Sequence, residues 1–439
     1  MNNNSDLDFQ VVIELINSGK YYEAKGLIEN SFGQTQTFDV FNAYAIACFK
    51  LNEHELAIRA INRAIALAPD NITGHNNKIE ILRSLSKFDE MISAANELEL
   101  VKPGVPEVSL LKAQAYAQID KPYPAVKEYK KFIKLHYQKA EEVDALTDVD
   151  TIYHVNHVLR KKTKYVDYPL HVAFETYAQC NAKCSFCVYP DMERIGTMMP
   201  MELIDKIISD LERIPKDLPF QLSPFAVNEP FLDKRIFTIL EKITDRLPNA
   251  HITLTSNGTT LNKTNISKLS KFKLDYLWLS VVDHRKDVYE EKMKLNYDLM
   301  MRNLGFIHEA KLSEKLNTRV VVSRLKDNTK ADDEFVEFIK QNFPLFEVTL
   351  WPYANWLSKT DNAVFEEVAN IPCDHWFDFR ISATGLVQHC CMDGHVDYPW
   401  GDVSKQSVLE IYNQEKYRQL RVNTFSRKEV SPCNGCTLR

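Results

Sequence analysis

"CNAKCSFC", Cys180 to Cys187, sets three cysteines at intervals of four and three residues, with Phe186 directly before the last. The run just upstream, "LHVAFET" (Leu170 to Thr176), reads as a short apolar strand, so the triplet opens four residues beyond a predicted strand end. Five more runs of this kind follow: "FQLSPFAV", "HITLTSNG", "YLWLSVV", "TRVVVSR" and "FEVTLWP". Amphipathic stretches such as "MELIDKIISDLERI" and "KRIFTILEKITDRL" separate them, with apolar residues three and four apart. Strand and helix in alternation predict a parallel sheet, and six units predict a partial (β/α)6 barrel rather than a complete eightfold one. In such a barrel chemistry collects on the loops after the strands, which is where the triplet falls.

Three thiolates on one short loop can each face a corner of a cubane iron-sulfur cluster and leave the fourth iron open. Structural zinc takes four ligands in a closed site, and no fourth Cys or His lies near in this loop; His171, upstream on the strand, reads as a core or barrel residue. A zinc-bearing scaffold without catalysis is the rival reading.

The rest of the chain narrows the setting. With 45% hydrophobic and 26% charged residues among 439, it is an ordinary globular composition of several domains. A net charge of −6 supplies no basic field for nucleic acid or an anionic membrane surface. The start, "MNNNSDLDF", lacks the basic and apolar parts of a secretory signal, and no run reaches the ~18 apolar residues of a membrane span, so a cytoplasmic location is expected. In that reducing setting the nine cysteines should be free thiols, ligands or catalytic groups. All but Cys48 fall in two groups, the triplet and Cys373, Cys390, Cys391, Cys433 and Cys436.

The first third carries an internal period of 34 residues: Ala45, Ile79 and Ala113; Cys48, Leu82 and Tyr116; Ala57, Met91 and Ala125; and the helix-ending Pro69 and Pro103. Together with an earlier pair around "GKYYEAKGLIENSF", this predicts an α-solenoid over residues 1–145 that resembles the tetratricopeptide repeat (TPR). Its surface could grip a polypeptide, brace the next domain or mediate self-association.

The triplet, with its aromatic Phe186, resembles the signature of the radical S-adenosylmethionine (SAM) superfamily. The resemblance implies that Cys180, Cys184 and Cys187 hold a [4Fe-4S] cluster whose open iron chelates S-adenosylmethionine. One electron would then cleave the cofactor to a 5′-deoxyadenosyl radical that takes a hydrogen atom from substrate. "FAVNEPFL" resembles the family's Gly-Glu-Pro segment, with Asn228 in place of the usual glycine and Glu229 as acceptor for the cofactor ammonium. "LTSNGTTL" resembles the third-strand ending, with Asn257 in the turn; Ser280 would meet the ribose, and Arg324 the cofactor carboxylate.

In the last 70 or so residues, Gly385 before a valine-rich run suggests a hairpin, and "CNGC" (Cys433 to Cys436) a two-ligand turn. Spacing alone leaves zinc and an iron-sulfur cluster open for these cysteines. The tail resembles the SPASM or shortened "twitch" extension of radical SAM enzymes, including the helix at Ser407 to Asn413. The resemblance implies one auxiliary [4Fe-4S] cluster on Cys373, Cys390, Cys433 and Cys436. Cys391 then stands as an alternative ligand to Cys390, as a buried thiol, or as a hydrogen donor to a substrate radical, with Asp393 as a candidate base. The expected layout is 1–145 helical repeats, 160–360 barrel and 365–439 iron-sulfur domain. The expected activity is radical modification of a peptide or protein side chain, by oxidation or by C–C or C–S bond formation, with a flavodoxin- or ferredoxin-type reductant. The alternative is a dehydrogenase or epimerase of a sugar or aminocyclitol.

Overall fold

The computed structural model describes residues 8–32, 35–137, 139–360 and 367–438. The reading of the extreme N-terminus, at Met1 to Leu7, and the tail boundary at 365 lie outside them. The chain divides into two compact units, Met1–Val155 and Asn156–Arg439.

The first unit is built of helix pairs: α1 (Phe9–Asn17), α2 (Tyr21–Ser31), α3 (Phe38–Lys50), α4 (His54–Leu67), α5 (Ile72–Ser84), α6 (Phe88–Val101), α7 (Pro106–Gln118) and α8 (Pro122–Tyr137). From α3 onward both the first and the second helix of each pair start at steps of 34 residues. The same step governs the turns, where Asn52, Ser86 and Asp120 take left-handed backbone (φ 64, 56 and 54°) and reverse the chain. Thr37 and Asn71 cap α3 and α5 through their side chains, while Pro106 opens α7, where no N–H partner is needed. Ala45, Ala57, Ala113 and Ala125 are buried, so small residues sit where the helices pack.

The second unit is organised on one nine-stranded sheet, ordered β6-β5-β4-β3-β2-β1-β7-β8-β9. Strands β1 (His171–Phe174), β2 (Phe220–Ser223), β3 (Ala250–Ser256), β4 (Tyr276–Val282), β5 (Arg319–Leu325) and β6 (Glu347–Trp351) are the six read from the sequence, and successive ones pair in parallel. The tail then continues the same sheet. Strand β7 (Asp378–Ile381) joins β1 in parallel, and β8 (Leu386–Gln388) and β9 (Gly401–Asp402) follow antiparallel. The β7–β8 turn carries Gly385 at φ +87°, a conformation that L side chains rarely adopt.

Alternation along the strands gives the sheet two faces. Val172, Phe174, Leu222, Leu254, Leu277, Leu279 and Val322 are buried against Ile204, Ile207, Ile208, Ile239 and Leu240 of the intervening helices. The opposite face is polar and internally hydrogen-bonded. His171 Nε2 lies 2.8 Å from Ser223 Oγ, which lies 2.8 Å from Thr253 Oγ1. Gln221 Nε2 donates to Thr253 Oγ1 (3.0 Å) and Tyr276 Oη (2.8 Å), and Trp278 Nε1 donates to Ser323 Oγ (2.8 Å).

Candidate active site

The cysteine loop leaves the C-terminal end of β1 and is fastened on three sides. Lys183 and Ser185 donate their backbone N–H to Met293 O (3.2 Å) and Lys292 O (3.0 Å), at the end of the helix Lys286–Met293. Trp356 Nε1 donates to Phe186 O at 2.9 Å. Asn181, between the first two cysteines, accepts from Asn257 Nδ2 (2.8 Å) and donates to Thr259 Oγ1 (2.9 Å). Sequence reasoning passed over Asn181 and Trp356; the first was signalled only by lying inside the cysteine motif.

Within this frame Ala182 N lies 3.4 Å from Cys180 Sγ, and Tyr189 N 3.4 Å from Cys187 Sγ. Cys184 Sγ lies 3.4 Å from Met293 Sδ. Burial pushes the Cys180 thiol up to about 12, and raises Cys184 and Cys187 as well. Such thiols stay protonated unless a metal draws the thiolates out, so three soft donors on one short loop fit an iron-sulfur cluster with an open corner. Among the described residues, no group of three or more His, Cys, Asp or Glu side chains converges as ligands of a single metal ion. Phe186 packs edge-on to Tyr353, with ring centres 6.2 Å apart.

Asn228 and Glu229 stand in the loop that follows β2. Asn228 Oδ1 accepts from Ala226 N (2.9 Å), and its buried Nδ2 has no partner, which leaves a donor for a bound molecule. Glu229 is bound from several sides within the chain. Its buried carboxylate accepts from Ser256 Oγ, Thr260 Oγ1 and Asn257 N, each at 2.9 Å, and from Phe231 N at 3.4 Å. Burial raises its pKa against the pull of those donors. Glu229 therefore clamps the β3 turn, and its N–H bonds Gln179 O (2.9 Å), tying that turn to the cysteine loop. Asn257 is the other half of this tie. Ser280 lies beside Ser323 in the β4–β5 register, just before an irregularity at which Val282 takes φ +66°.

Arg324 is engaged from within the chain. Its guanidinium is fully buried and shared among Asp332 (2.7 Å), Asp327 (2.8 Å) and Asp283. Although burial alone would raise Asp283, the guanidinium groups of Arg285 and Arg324 hold it well below the usual carboxylate range. The N–H groups of Arg324 thus meet Asp283, Asp327, Asp332 and the Val282 carbonyl, so in this structure Arg324 holds three carboxylates together at the end of β5.

In the tail, Cys373 precedes the turn Asp374–Phe377, Cys390 and Cys391 follow β8, and Cys433 and Cys436 bracket a tight turn closed by Cys436 N to Cys433 O (3.0 Å). Trp376 Nε1 (3.5 Å) and His389 Nε2 (3.2 Å) both lie on Cys433 Sγ. The vicinal pair is unequal: hydrogen bonding from Cys390, with His375 and Arg380 alongside, holds Cys391 low, while Cys390 is raised. Soft sulfur donors from three segments, one of them under two ring nitrogens, fit a thiolate-bound cluster. Asp393 is held by backbone donors. Its buried carboxylate accepts from the backbone N–H of His389 (3.0 Å), Asp397 (2.9 Å) and Tyr398 (3.3 Å), so it orders the loop after β8.

Two further contacts hold the tail against the strand ends. Arg194 binds the fully buried Glu175 through Nε (2.6 Å) and Nη2 (3.3 Å), and also Gly394 O, while Glu175 accepts from Ala383 N (3.1 Å). A Cβ on Gly394 would stand 2.5 Å from Val188 Cγ2, one residue past Cys187, so the tail meets the cysteine loop where only glycine fits.

Residues 174–339 match the radical SAM superfamily, and residues 373–437 match the SPASM iron-sulfur cluster-binding domain. The chain thus carries a radical SAM domain followed by a SPASM domain, and it is a radical SAM enzyme. The first domain binds a [4Fe-4S] cluster and S-adenosylmethionine, and the second binds auxiliary iron-sulfur. Similar solved structures include Streptococcus suis SuiB bound to precursor peptide SuiA, at 14% identity and TM-score 0.48, covering 76% of this chain and 86% of that one. BtrN in complex with AdoMet and 2-DOIA gives 16% and 0.43, covering 61% and 92%; anSMEcpe with bound AdoMet gives 13% and 0.45, covering 59% and 90%. No curated protein sequence matches the chain. Among the described residues no helix is long and apolar enough to cross a membrane.

Proposed function

We propose that this radical SAM enzyme modifies a side chain of a peptide or protein, by oxidation or by C–C or C–S bond formation. In this reading Cys180, Cys184 and Cys187 hold the first cluster, and Cys373, Cys390, Cys433 and Cys436 hold one auxiliary [4Fe-4S] cluster. The observation that carries a polypeptide substrate is the train of helix pairs at a strict 34-residue step, read as TPR-like repeats, a form suited to holding an extended chain. When bound, the cluster and S-adenosylmethionine supply a one-electron cleavage that ends in removal of a hydrogen atom from substrate.

The protein's own residues do the positioning. Asn181, Asn257 and Thr259 hold the cysteine loop to the β3 turn, and Glu229 holds that turn in shape. Asn228 Nδ2 offers a donor to the cofactor, and Ser280 a hydroxyl. Cys391 stands ready as an alternative ligand or hydrogen donor. A flavodoxin- or ferredoxin-type protein in the cytoplasm supplies the electron.

The second reading, a sugar or aminocyclitol dehydrogenase or epimerase, draws on the polar sheet face, whose Ser, Thr, Gln and Tyr groups suit a polyol. The test offers the full-length, anaerobically reconstituted protein deuterated peptides and deuterated polyols, and follows deuterium into 5′-deoxyadenosine. Label from peptides alone supports the proposal; label from polyols alone overturns it in favour of the second reading.

A further inference from the structure

We propose that His389 and Trp376 are tuning residues that raise the reduction potential of the auxiliary cluster through paired N–H donors on Cys433 Sγ. This rests on the reading of Cys433 as a ligand of that cluster. An indole N–H only donates, and a metal-bound thiolate only accepts, so the contact also selects the Nε2–H tautomer of His389. Cys433 is 6% exposed, which keeps competing water from its sulfur.

Both donors are held in place. The His389 ring stacks on Trp400 (5.0 Å, 25°), Trp400 lies flat on Tyr417 (4.4 Å, 3°), and Trp400 Nε1 returns a bond to His389 O (3.3 Å). Trp376 is buried and edge-on to His157 (5.6 Å, 82°). Among the described residues, Cys433 is the only tail cysteine with two side-chain N–H donors on its sulfur.

Reduction adds one electron to the cluster and negative charge to its ligand sulfurs, with no bond made or broken. Two N–H dipoles aimed at one sulfur stabilise the reduced form more than the oxidised form, which moves the potential upward. Both residues act through the Cys433 sulfur, so the expected signature is a potential and not only a rate.

The experiment uses the full chain with Cys180, Cys184 and Cys187 replaced by alanine, so that only the tail retains a cluster, reconstituted anaerobically with iron and sulfide. Dithionite supplies the electron, and the reduced fraction is followed by low-temperature electron paramagnetic resonance. His389→Leu and Trp376→Phe should each lower the reduced-to-oxidised ratio at a fixed potential, and together by about tenfold, equivalent to 59 mV for one electron. His389→Gln keeps an N–H donor and should stay nearer the parent. Unmoved midpoints in His389→Leu and Trp376→Phe overturn the proposal, and should His389→Leu fail to retain iron, Trp376→Phe decides by the same criterion. Failure of the underlying reading looks different: Cys433→Ala in the same background would then keep its iron and its signal.

Discussion

Removing Arg194 should cost more than any surface change in the second unit, because it strands a carboxylate that water cannot reach. Glu175 has no exposed side-chain surface and draws on the Arg194 guanidinium through two contacts, plus Ala383 N. Breaking a buried ion pair from one side typically costs ~3–5 kcal/mol, since the remaining charge keeps its desolvation penalty without its partner. In a unit of this size each kcal/mol moves the melting midpoint by about 2–3 °C, so Arg194→Met should lower it by roughly 6–15 °C. Glu175→Gln should do less, because the amide oxygen still accepts from Arg194. The double variant Arg194→Met, Glu175→Leu should recover much of the loss, because no buried charge is left. The assay is anaerobic circular dichroism melting of the four proteins at one pH, with iron content measured alongside. Arg194 also holds Gly394 O, and Glu175 holds Ala383 N, so Arg194→Met should loosen the tail against the cysteine loop and lower iron retention. Additive losses in the double variant, or a shift under about 2 °C for Arg194→Met, would refute the account of a coupled buried pair.

Arg324→Lys should destabilise by about 2–3 kcal/mol, since a lysine cannot fork among three carboxylates, yet leave S-adenosylmethionine affinity within about threefold in equilibrium dialysis; a large affinity loss at unchanged stability would make Arg324 a cofactor ligand. Asp393→Asn should cost about 1–2 kcal/mol by weakening three backbone contacts, and a fall in kcat at unchanged melting temperature would instead make Asp393 a base. Asn181→Ala should lower iron bound to the triplet without changing the melting of the helical unit, as checked by iron assay on a background lacking the tail cysteines. Burial lowers the pKa of His171 in the folded chain, so as pH falls below the unfolded value near ~6.5 the unfolded chain takes up the proton first and stability declines. His171→Gln should flatten that decline between about pH 7 and 5.5, and equal slopes in thermal melts would sink the assignment.

The six parallel strands and the 34-residue helical step were legible because each rests on local periodicity, which sequence carries directly. The cysteine triplet could be read as one unit because its three sulfurs come from eight consecutive residues. What the sequence did not announce at Glu229, Arg324 and Asp393 is how fully each is engaged within the chain. Their residue types suited ligand contacts, while the partners that engage them are distant for Glu229 (Ser256, Asn257 and Thr260), mixed for Arg324 (Asp283, but also Asp327 and Asp332) and local backbone N–H groups for Asp393. A buried charge must satisfy itself before it can serve a ligand, and nothing in a local motif says which donors the fold will bring to it.

The continuation of the sheet through β7 illustrates the same limit with a larger consequence. The hairpin at Gly385 could be read from a glycine and a valine-rich run, but not that its first strand would lie parallel to β1, with His171 beside Asp378 and Ala173 beside Arg380. That pairing runs β7 alongside the strand that feeds Cys180. The ends of β1 and β7 are then locked together through Glu175, whose N–H bonds Ile381 O and whose carboxylate accepts from Ala383 N. Strain at one sulfur-bearing segment therefore has a short mechanical route to the other: Arg194 to Gly394, Val188 against Gly394, and Trp356 to Phe186. Substitutions at Gly394 should accordingly disturb the triplet's iron as well as the tail's, although Gly394 belongs to the tail. A Cβ there must displace Val188, immediately beyond Cys187.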